Sequence, residues 1–319
     1  MTLLLSLLAL HCVGAAIYCG FKAAIGAVDR GVPVRFGRVA LSRWCREWGV
    51  TVFAGLSLPF GVVQPDPRRT PESDLSRPPV LLLPGYGMNR ACLFPLVFYL
   101  RQRGWPFVWG VNNRPYAASI ATYAARLAEH VQHLKRESGA ARVDLVCHSA
   151  GGVIAAWYLS QLGGAAHVRR LITLGTPWKG TRLAIFGQRP LAGELMVGSK
   201  LLDRVVPPPV STTAIWTRTD GMLIPNSSGY AAGMRAVEVD GVEHLSMLYS
   251  GRVFQLVRDL LSAPDPDDVP APPATEEIQA PYAADPSLVE VPDLADAPTA
   301  MEPDAPTEQL HPSDPEEQA

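Results

Sequence analysis

A serine in a short strand-to-helix turn is the first residue of this sequence whose surroundings suggest chemistry. Ser149 follows the apolar run Val143–Cys147 and precedes the small residues A-G-G, where a helical pattern begins. Small residues allow the strand and helix backbones to approach closely, so the turn projects the Ser149 hydroxyl above the sheet. The usual pattern for this turn is G-x-S-x-G, and Cys147 stands at its first glycine. The arrangement predicts a nucleophile, and a serine that only caps the helix is the alternative.

Two later residues could activate that hydroxyl. His244 lies in a loop after the last predicted strand, from which its ring can reach the serine and accept a proton. The other six histidines lie in the N-terminal run, in the C-terminal tail, on a helix, before a strand or directly beside the serine. Asp220 follows the fifth predicted strand, where a carboxylate can orient the histidine and stabilise its cation. Asp240, after the sixth strand, is the alternative partner, and Asp220 could also be a turn residue before glycine.

Backbone donors for a developing negative charge follow the first predicted strand. The loop there reads P-G-Y-G over residues 84–87, and its glycines allow N–H groups to point into a site. A tetrahedral oxyanion needs two such donors. The N–H groups of Tyr86 and Ala150 are the candidates, and an ordinary glycine-rich turn is the alternative.

These residues follow short apolar runs that alternate with helical patterns. The runs are Val80–Leu83, Phe107–Val111, Val143–Cys147, Leu171–Leu174, Thr213–Trp216 and Ala236–Val239. Such mainly apolar runs are typical of strands buried on both faces, as in parallel sheets. Helical spacing over residues 119–138, with Ser119 as N-cap, and over 152–162 completes an alternation that predicts a doubly wound α/β fold. Ligands bind beyond the carboxyl ends of strands in such folds.

Five stretches resemble the lipases and esterases of the α/β-hydrolase superfamily, in particular the small Bacillus-type lipases. They are LLLPGYG (81–87), VDLVCHSAGG (143–152), LITLGTPWKGTRLA (171–184), AIWTRTDGMLIP (214–225) and VEHLSMLYS (242–250). The chain order Ser149, Asp220, His244 is also the order of that superfamily. The sequence departs from the pattern at Cys147 and at Pro84, where many relatives have histidine.

The resemblance implies a serine carboxylic-ester hydrolase that acts on lipid or acylglycerol esters through an acyl-enzyme, without a metal or organic cofactor. It implies Ser149 as nucleophile, His244 as base and Asp220 as its partner, with oxyanion donors at Tyr86 and Ala150. Acyl transfer, thioester hydrolysis and amide hydrolysis on the same scaffold are alternatives. A non-catalytic membrane-tethered interaction protein is a further one, against which the complete triad argues.

A segment between the fourth and fifth strands could border the substrate. Residues 178–209 are rich in Leu, Met, Gly and Pro. We expect either a cap over an acyl pocket or a crossover that packs on the sheet. The candidate pocket residues are Phe186, Leu191, Leu195 and Met196.

An uncharged run at the N-terminus predicts a membrane anchor. Thr2–Phe21 contains no charged residue, and 20 helical residues span about 30 Å, the thickness of a bilayer core. A cleaved signal peptide, with small residues at 13–15, and a buried core helix are the alternatives. A second uncharged stretch over residues 48–63 leaves the side of the membrane open.

An amphipathic pattern follows the anchor. One helical face would be apolar and the opposite face would carry Arg43 and Arg46; the apolar residues are Leu41, Trp44, Cys45 and Trp48. This pattern is typical of a helix on an anionic membrane surface or of one packed on the catalytic domain.

The net charge of −2 hides an uneven distribution of charge along the chain. Residues 263–319 hold 15 acidic residues, 13 of the 30 prolines and no Lys or Arg, so the remainder is basic. Such a tail buries too little apolar surface to offset chain entropy, and we expect it to be disordered. No aromatic–basic stripe indicates a nucleic-acid partner, and the spacing of the five cysteines indicates neither a disulfide framework nor a zinc site.

The predicted organisation has four segments. They are a membrane anchor with an amphipathic part (1–63), a Pro-rich linker (64–79), an α/β catalytic domain (80–262) and a disordered tail (263–319). We expect attachment to a bacterial inner membrane, with the side of the catalytic domain open, or secretion if the N-terminus is a cleaved signal. The expected partners are a lipid or ester substrate and the membrane, not nucleic acid.

Overall fold

The computed structural model of the protein describes residues 2–29, 37–63 and 76–264. Most of the predicted linker, at 64–75, and nearly all of the predicted tail, at 265–319, lie outside the described residues. The predicted catalytic domain is therefore covered completely, together with two N-terminal helices.

One parallel sheet carries the candidate residues. Its six strands lie in the order β2-β1-β3-β4-β5-β6. They are β1 (Val80–Leu83), β2 (Val108–Gly110), β3 (Val143–His148), β4 (Val168–Leu174), β5 (Ser211–Trp216) and β6 (Arg235–Glu238). Every neighbouring pair is parallel, and β1 and β3 are buried along their whole length. The predicted runs and the mostly parallel sheet are confirmed.

Helices cover both faces of this sheet. The α-helices of the described residues are α1 (Thr2–Asp29), α2 (Arg38–Ser57), α3 (Phe94–Arg101), α4 (Ile120–Ser138), α5 (Ala150–Gln161), α6 (Leu191–Glu194), α7 (Lys200–Asp203) and α8 (Gly251–Ser262). Leu81 and Leu83 of β1 face a core cluster with α4 and α5. Leu82, between them, faces a second cluster with α3 and α8. Successive strand residues thus bury on opposite faces, which explains why the runs are mainly apolar. Asp144 in β3 is an exception, and it is buried in an ion pair with Arg169.

The helix limits follow local chemistry. The Ser119 side chain accepts a hydrogen bond from Thr122 N at 3.1 Å and begins α4, and Gly139, with φ 74°, ends it. A serine oxygen satisfies a free N–H at a helix start, and glycine adopts the left-handed conformation at a helix end without steric cost. The predicted N-cap is confirmed.

The sheet reverses its winding direction beside β1. The chain passes from β1 to β2 on one side and then returns to β3 on the other. Leu83, the last residue of β1, is in register with Cys147 near the end of β3. The loops that follow these two strands therefore meet at a topological switch point, where α/β sheets bind ligands.

The N-terminal helices pack on each other and on the sheet domain. Trp48 Nε1 of α2 donates to the carbonyl of Cys12 in α1 at 2.9 Å. Side chains of the sheet domain reach back to the segment after α2, since Asn89 Nδ2 donates to Leu58 O at 2.7 Å. Asn112 Nδ2 donates to Gly61 O at 2.8 Å. The helices and the sheet belong to one compact unit.

The apolar stripe predicted for α2 is not its packing face. Leu41 and Cys45 are exposed, Trp44 and Trp48 are half-buried, and Glu47 is buried instead. The carboxylate can be buried because it forms an ion pair with a lysine of α1, which spacing within α2 could not reveal.

Candidate active site

Ser149 occupies a strained turn between strand and helix. β3 ends at His148 and α5 begins at Ala150, so one residue makes the whole turn. Its φ of 53° and ψ of −126° are unusual for a residue other than glycine. Two contacts hold it: its N–H donates to Leu174 O at 2.8 Å, and Thr176 Oγ1 donates to its carbonyl at 2.9 Å. This geometry directs the side chain away from the core, as a nucleophile requires.

Glycines around the turn leave no room for side chains. A Cβ on Gly85 would lie 2.8 Å from Ser149 Cβ, and one on Gly151 would lie 2.9 Å from Pro84 O. A Cβ on Gly152 would overlap the side chain of Thr176. Close approach of the three segments explains the pattern of small residues that the sequence shows.

Buried thiols are inert in this structure. Cys147 and Cys92 are completely buried, and burial raises the pKa of both thiols far above the ordinary range. Cys147 therefore fills a core position in β3 and is not a nucleophile. Among the described residues, no group of three or more His, Cys, Asp or Glu side chains could hold a metal ion.

His244 and Asp220 form a buried hydrogen-bonded pair. His244 Nδ1 lies 2.8 Å from Asp220 Oδ2, and both residues are buried, whereas Asp240 is exposed. Asp220 Oδ1 also accepts from the N–H groups of Met222 at 2.8 Å and Leu223 at 3.1 Å. Burial alone would raise the pKa of Asp220, but His244 and the two N–H groups together lower it below its ordinary value. The carboxylate is thus ionised and holds Nδ1 as the donor, which leaves Nε2 as the basic nitrogen.

A second histidine, His148, supports the first. Its ring lies 4.7 Å from the ring of His244, and its Nε2 donates to the backbone carbonyl of His244 at 3.1 Å. Burial, followed by the charge of His244, lowers the pKa of His148 to about 3, so it is neutral. Its position beside the serine is visible in the sequence, but its contact with a residue 96 positions away is not.

The two candidate oxyanion donors belong to residues next to Ser149 in sequence or in the cavity that it lines. Ala150 is the first residue of α5, where an N–H has no acceptor within its own helix. Tyr86 lines the same cavity as Ser149. Its hydroxyl accepts from Gln188 N at 2.6 Å, which joins the loop after β1 to the segment between β4 and β5.

A cavity of about 380 Å³ opens above Ser149 and is mostly apolar. This volume lies within the usual range of small-molecule sites. Phe186 and Leu195 line it. Leu191 is buried and lines a smaller cleft beside Tyr86, and Met196 lies outside both linings.

The segment over residues 178–209 combines the two roles expected for it. Trp178, Leu191 and Leu202 are buried in the core cluster on one face of the sheet. Ile185 and Phe186 are exposed, and the Phe186 ring lines the cavity. The segment therefore packs on the sheet and also borders the site.

Helix α1 forms one wall of the cavity, a role that was not predicted from the sequence. Tyr18, Phe21 and Lys22 line it. The Tyr18 hydroxyl donates to Met222 Sδ at 2.6 Å, and the Phe21 and Phe186 rings meet edge to face at 5.5 Å. An uncharged run carries no signal for such contacts, because the partners lie far along the chain, 204 residues away for Met222.

Comparison with known proteins agrees with this architecture. A family model described as the alpha/beta hydrolase fold matches residues 78–204, which include β1, the serine turn and most of the bordering segment. The chain has the α/β-hydrolase fold. The α/β-hydrolase fold expected from the sequence is therefore confirmed.

Solved hydrolase structures share the same fold. The mature form of a Bacillus licheniformis lipase is 18% identical, with a TM-score of 0.56 over 62% of this chain and 97% of that chain. Its propeptide form is 17% identical, with a TM-score of 0.55 over 63% and 53%. Aspergillus fumigatus lipase B is 17% identical, with a TM-score of 0.50 over 61% and 56%. At these identities the likeness concerns the fold.

Proposed function

We propose that this α/β-hydrolase cleaves carboxylic esters with Ser149, His244 and Asp220 as a catalytic triad. The observation that carries the proposal is the buried contact of 2.8 Å between His244 and Asp220, which lies at the same sheet edge as the strained Ser149 turn. A buried carboxylate at an imidazole fixes the tautomer in which the other nitrogen acts as a base.

The reaction follows from these positions. Ser149 Oγ attacks the acyl carbonyl while His244 Nε2 takes its proton, and the oxyanion accepts from the N–H groups of Tyr86 and Ala150. His244 then protonates the leaving alcohol, and an acyl-serine remains. Water, deprotonated by His244, releases the acid and restores Ser149. In the described residues the Ser149 hydroxyl is not hydrogen-bonded to His244, so the hydroxyl must turn toward the imidazole as substrate binds.

The cavity supports an ester with an apolar acyl chain as substrate. Its walls are mainly hydrocarbon from the segment between β4 and β5, from the Asp220 loop and from α1. Burial of each methylene contributes about 0.8 kcal/mol, so longer acyl chains bind more tightly until they outgrow the cavity. Lipid and acylglycerol esters fit this chemistry.

A fluorophosphonate probe tests the nucleophile. The wild-type protein should be labelled and should hydrolyse p-nitrophenyl esters, and Ser149→Ala should lose both properties. Ser227→Ala removes an exposed hydroxyl and should behave as wild type. Ester hydrolysis or labelling that persists in Ser149→Ala would overturn the proposal.

Attachment to a membrane through α1 is part of this proposal. One described helix is long and apolar enough to cross a bilayer, with a mean hydropathy of 1.6 over Leu5–Val28. In its first half Leu5, Leu7 and Leu10 are exposed, while its second half reaches the cavity. The attachment would therefore place the cavity close to the lipid surface.

Vesicle flotation tests the attachment. The full chain should float with vesicles of anionic and neutral phospholipid, and the variant Leu7→Gln/Leu10→Gln should float less while it keeps hydrolysis of a soluble short-chain ester. The matched control Leu162→Gln changes an exposed leucine after α5 and should float as wild type. Equal flotation of both variants would contradict the role of α1, and a mature chain that begins after residue 15 would indicate a cleaved signal instead.

A further inference from the structure

The carboxylate of Glu47 lies buried against the segment that carries His244. Glu47 Oε2 accepts from Ser246 Oγ at 2.7 Å and from Ser246 N at 3.3 Å. Glu47 Oε1 accepts from Leu245 N at 3.2 Å. These contacts join α2 to residues 198 and 199 positions further along the chain.

The oxygens of Glu47 meet N–H groups that lack an acceptor in their own helix. Residues Leu245–Tyr249 form a short 3₁₀ helix directly after His244, and the first N–H groups of a helix have no acceptor within it. A carboxylate at this end satisfies two of them and also interacts favourably with the helix dipole. Glu47 thus caps this turn from another part of the chain.

Lys22 of α1 neutralises the buried carboxylate. Lys22 Nζ lies 3.0 Å from Glu47 Oε1, and both side chains are almost completely buried. A buried ion pair of this kind adds little stability compared with apolar residues of similar volume. Stability alone therefore does not explain why this ion pair is present. Its location beside His244 points to a role in holding that residue in position.

Three groups together fix the position of His244. Asp220 holds the ring at Nδ1, His148 holds the backbone carbonyl, and Glu47 holds the next two N–H groups. The first two belong to the sheet domain, and the third belongs to the N-terminal helices. Removal of the third would allow the backbone after His244 to shift while the Asp220 contact remains.

We propose that Glu47, neutralised by Lys22, is a positioning residue for His244, so that the N-terminal helices complete the catalytic site. This inference rests on the proposed ester hydrolysis. It predicts a decrease in the rate of the chemical step rather than in substrate binding, because Glu47 does not line the cavity. A shift of about 1 Å at a catalytic base can lower the rate up to about a hundredfold.

The test compares Glu47→Gln with Trp48→Phe. In the first variant an NH2 group replaces one of the two carboxylate oxygens and faces a donor, so at least one contact to the His244 segment is lost with little change in volume. Trp48→Phe removes a hydrogen bond between α1 and α2 and keeps the hydrogen bonds that Glu47 accepts from that segment. We measure kcat, KM and the rate of fluorophosphonate labelling for each variant well below its Tm.

For Glu47→Gln we expect kcat and the labelling rate to fall about tenfold to a hundredfold at a KM close to that of wild type. Trp48→Phe should lose Tm but keep kcat. Ser246→Ala removes one Glu47 contact, keeps the ion pair and should lower kcat by a smaller factor, about threefold. If Glu47→Gln does not fold, Ser246→Ala alone decides the inference.

Wild-type kcat in folded Glu47→Gln overturns the inference, and so does wild-type kcat in Ser246→Ala when Glu47→Gln does not fold. A kcat loss in Trp48→Phe as large as in Glu47→Gln also overturns it, because the helices would then act only through stability. Activity that persists in Ser149→Ala is a separate outcome, since it overturns the proposed triad rather than the role of Glu47.

Discussion

At the scale of residues, His244 contacts one charged group and one neutral group. Asp220 remains ionised because His244 and two backbone N–H groups outweigh the cost of burial and hold its pKa low, whereas His148 is neutral at every physiological pH. His244 therefore has one ionic partner for its ring and one neutral partner for its carbonyl. This division suits the role proposed for His244, a base that becomes a cation during ester hydrolysis, because only the carboxylate stabilises that charge.

Replacement of Asp220 by Asn tests this division. Asn keeps the size of the side chain but donates toward Nδ1, so it favours the wrong imidazole tautomer. We expect kcat for ester hydrolysis to fall by about 10³–10⁴, with substrate binding little changed.

Asp240→Asn is the matched control, because Asp240 is exposed after β6, and it should keep wild-type kcat. Steady-state kinetics at a mildly alkaline pH provide the measurement. A kcat for Asp220→Asn close to that of wild type would exclude Asp220 as the partner of His244.

At the scale of elements, two strand ends create the site. Register places the end of β1 beside the end of β3, and the loop after β1 then contacts the Ser149 turn through Gly85. The switch in winding direction makes these two loops neighbours even though β2 and α4 separate them along the chain. Because the strands are rigid and closely packed, only small residues in the loops permit this approach.

Gly85→Ala tests the contact between the loops. An added Cβ would lie 2.8 Å from Ser149 Cβ, so the serine turn or the oxyanion loop must move. We expect kcat to fall about tenfold to a hundredfold, with a moderate loss of Tm.

Gly251→Ala is the control for an added methyl group, since a Cβ there meets nothing within 4 Å. It should leave kcat and Tm near the wild-type values. Wild-type kcat in both variants would show that the loop after β1 does not contribute to catalysis.

At the scale of the whole molecule, charge is buried where the N-terminal helices meet the sheet domain. Burial, followed by repulsion from Glu47, raises the pKa of Glu243 to about 7, from an ordinary value of 4.5. Between about pH 4.5 and 7 the Glu243 carboxyl therefore keeps its proton in the folded protein, whereas it has lost that proton in the unfolded chain. Stability contributed by this proton is complete below that window and is lost as pH rises through it.

Glu243→Gln removes this dependence. Relative to wild type, the variant should gain stability as the pH rises through that window, by up to about 3 kcal/mol. Glu129→Gln, an exposed site, should show a constant difference. Denaturant unfolding at a series of pH values gives the measurement, and parallel curves for wild type and Glu243→Gln would contradict the raised pKa.

Much of the α/β architecture could be predicted from local pattern. Mainly apolar runs predicted the six strands, although the edge strand β6 is mostly exposed. Ser119 marked the start of α4, and the order of Ser149, Asp220 and His244 indicated the resemblance to α/β-hydrolases. These features depend on side chains close in sequence or on an order along the chain. The sequence therefore places each candidate triad residue after a strand, and in the structure these residues follow β3, β5 and β6.

Other features depend on tertiary structure alone. From the sequence, the uncharged N-terminal run is predicted to be a membrane anchor. The helix after it is predicted to have one apolar face. The structure adds that α1 forms a wall of the cavity and that Glu47 is buried beside His244. An apolar helix packs equally well on lipid or on protein, and a carboxylate is buried only where a distant cation and distant donors receive it. Sequence alone therefore determined the sheet and the candidate triad, and tertiary structure decided which N-terminal residues join them, because that choice depends on contacts 198 residues apart.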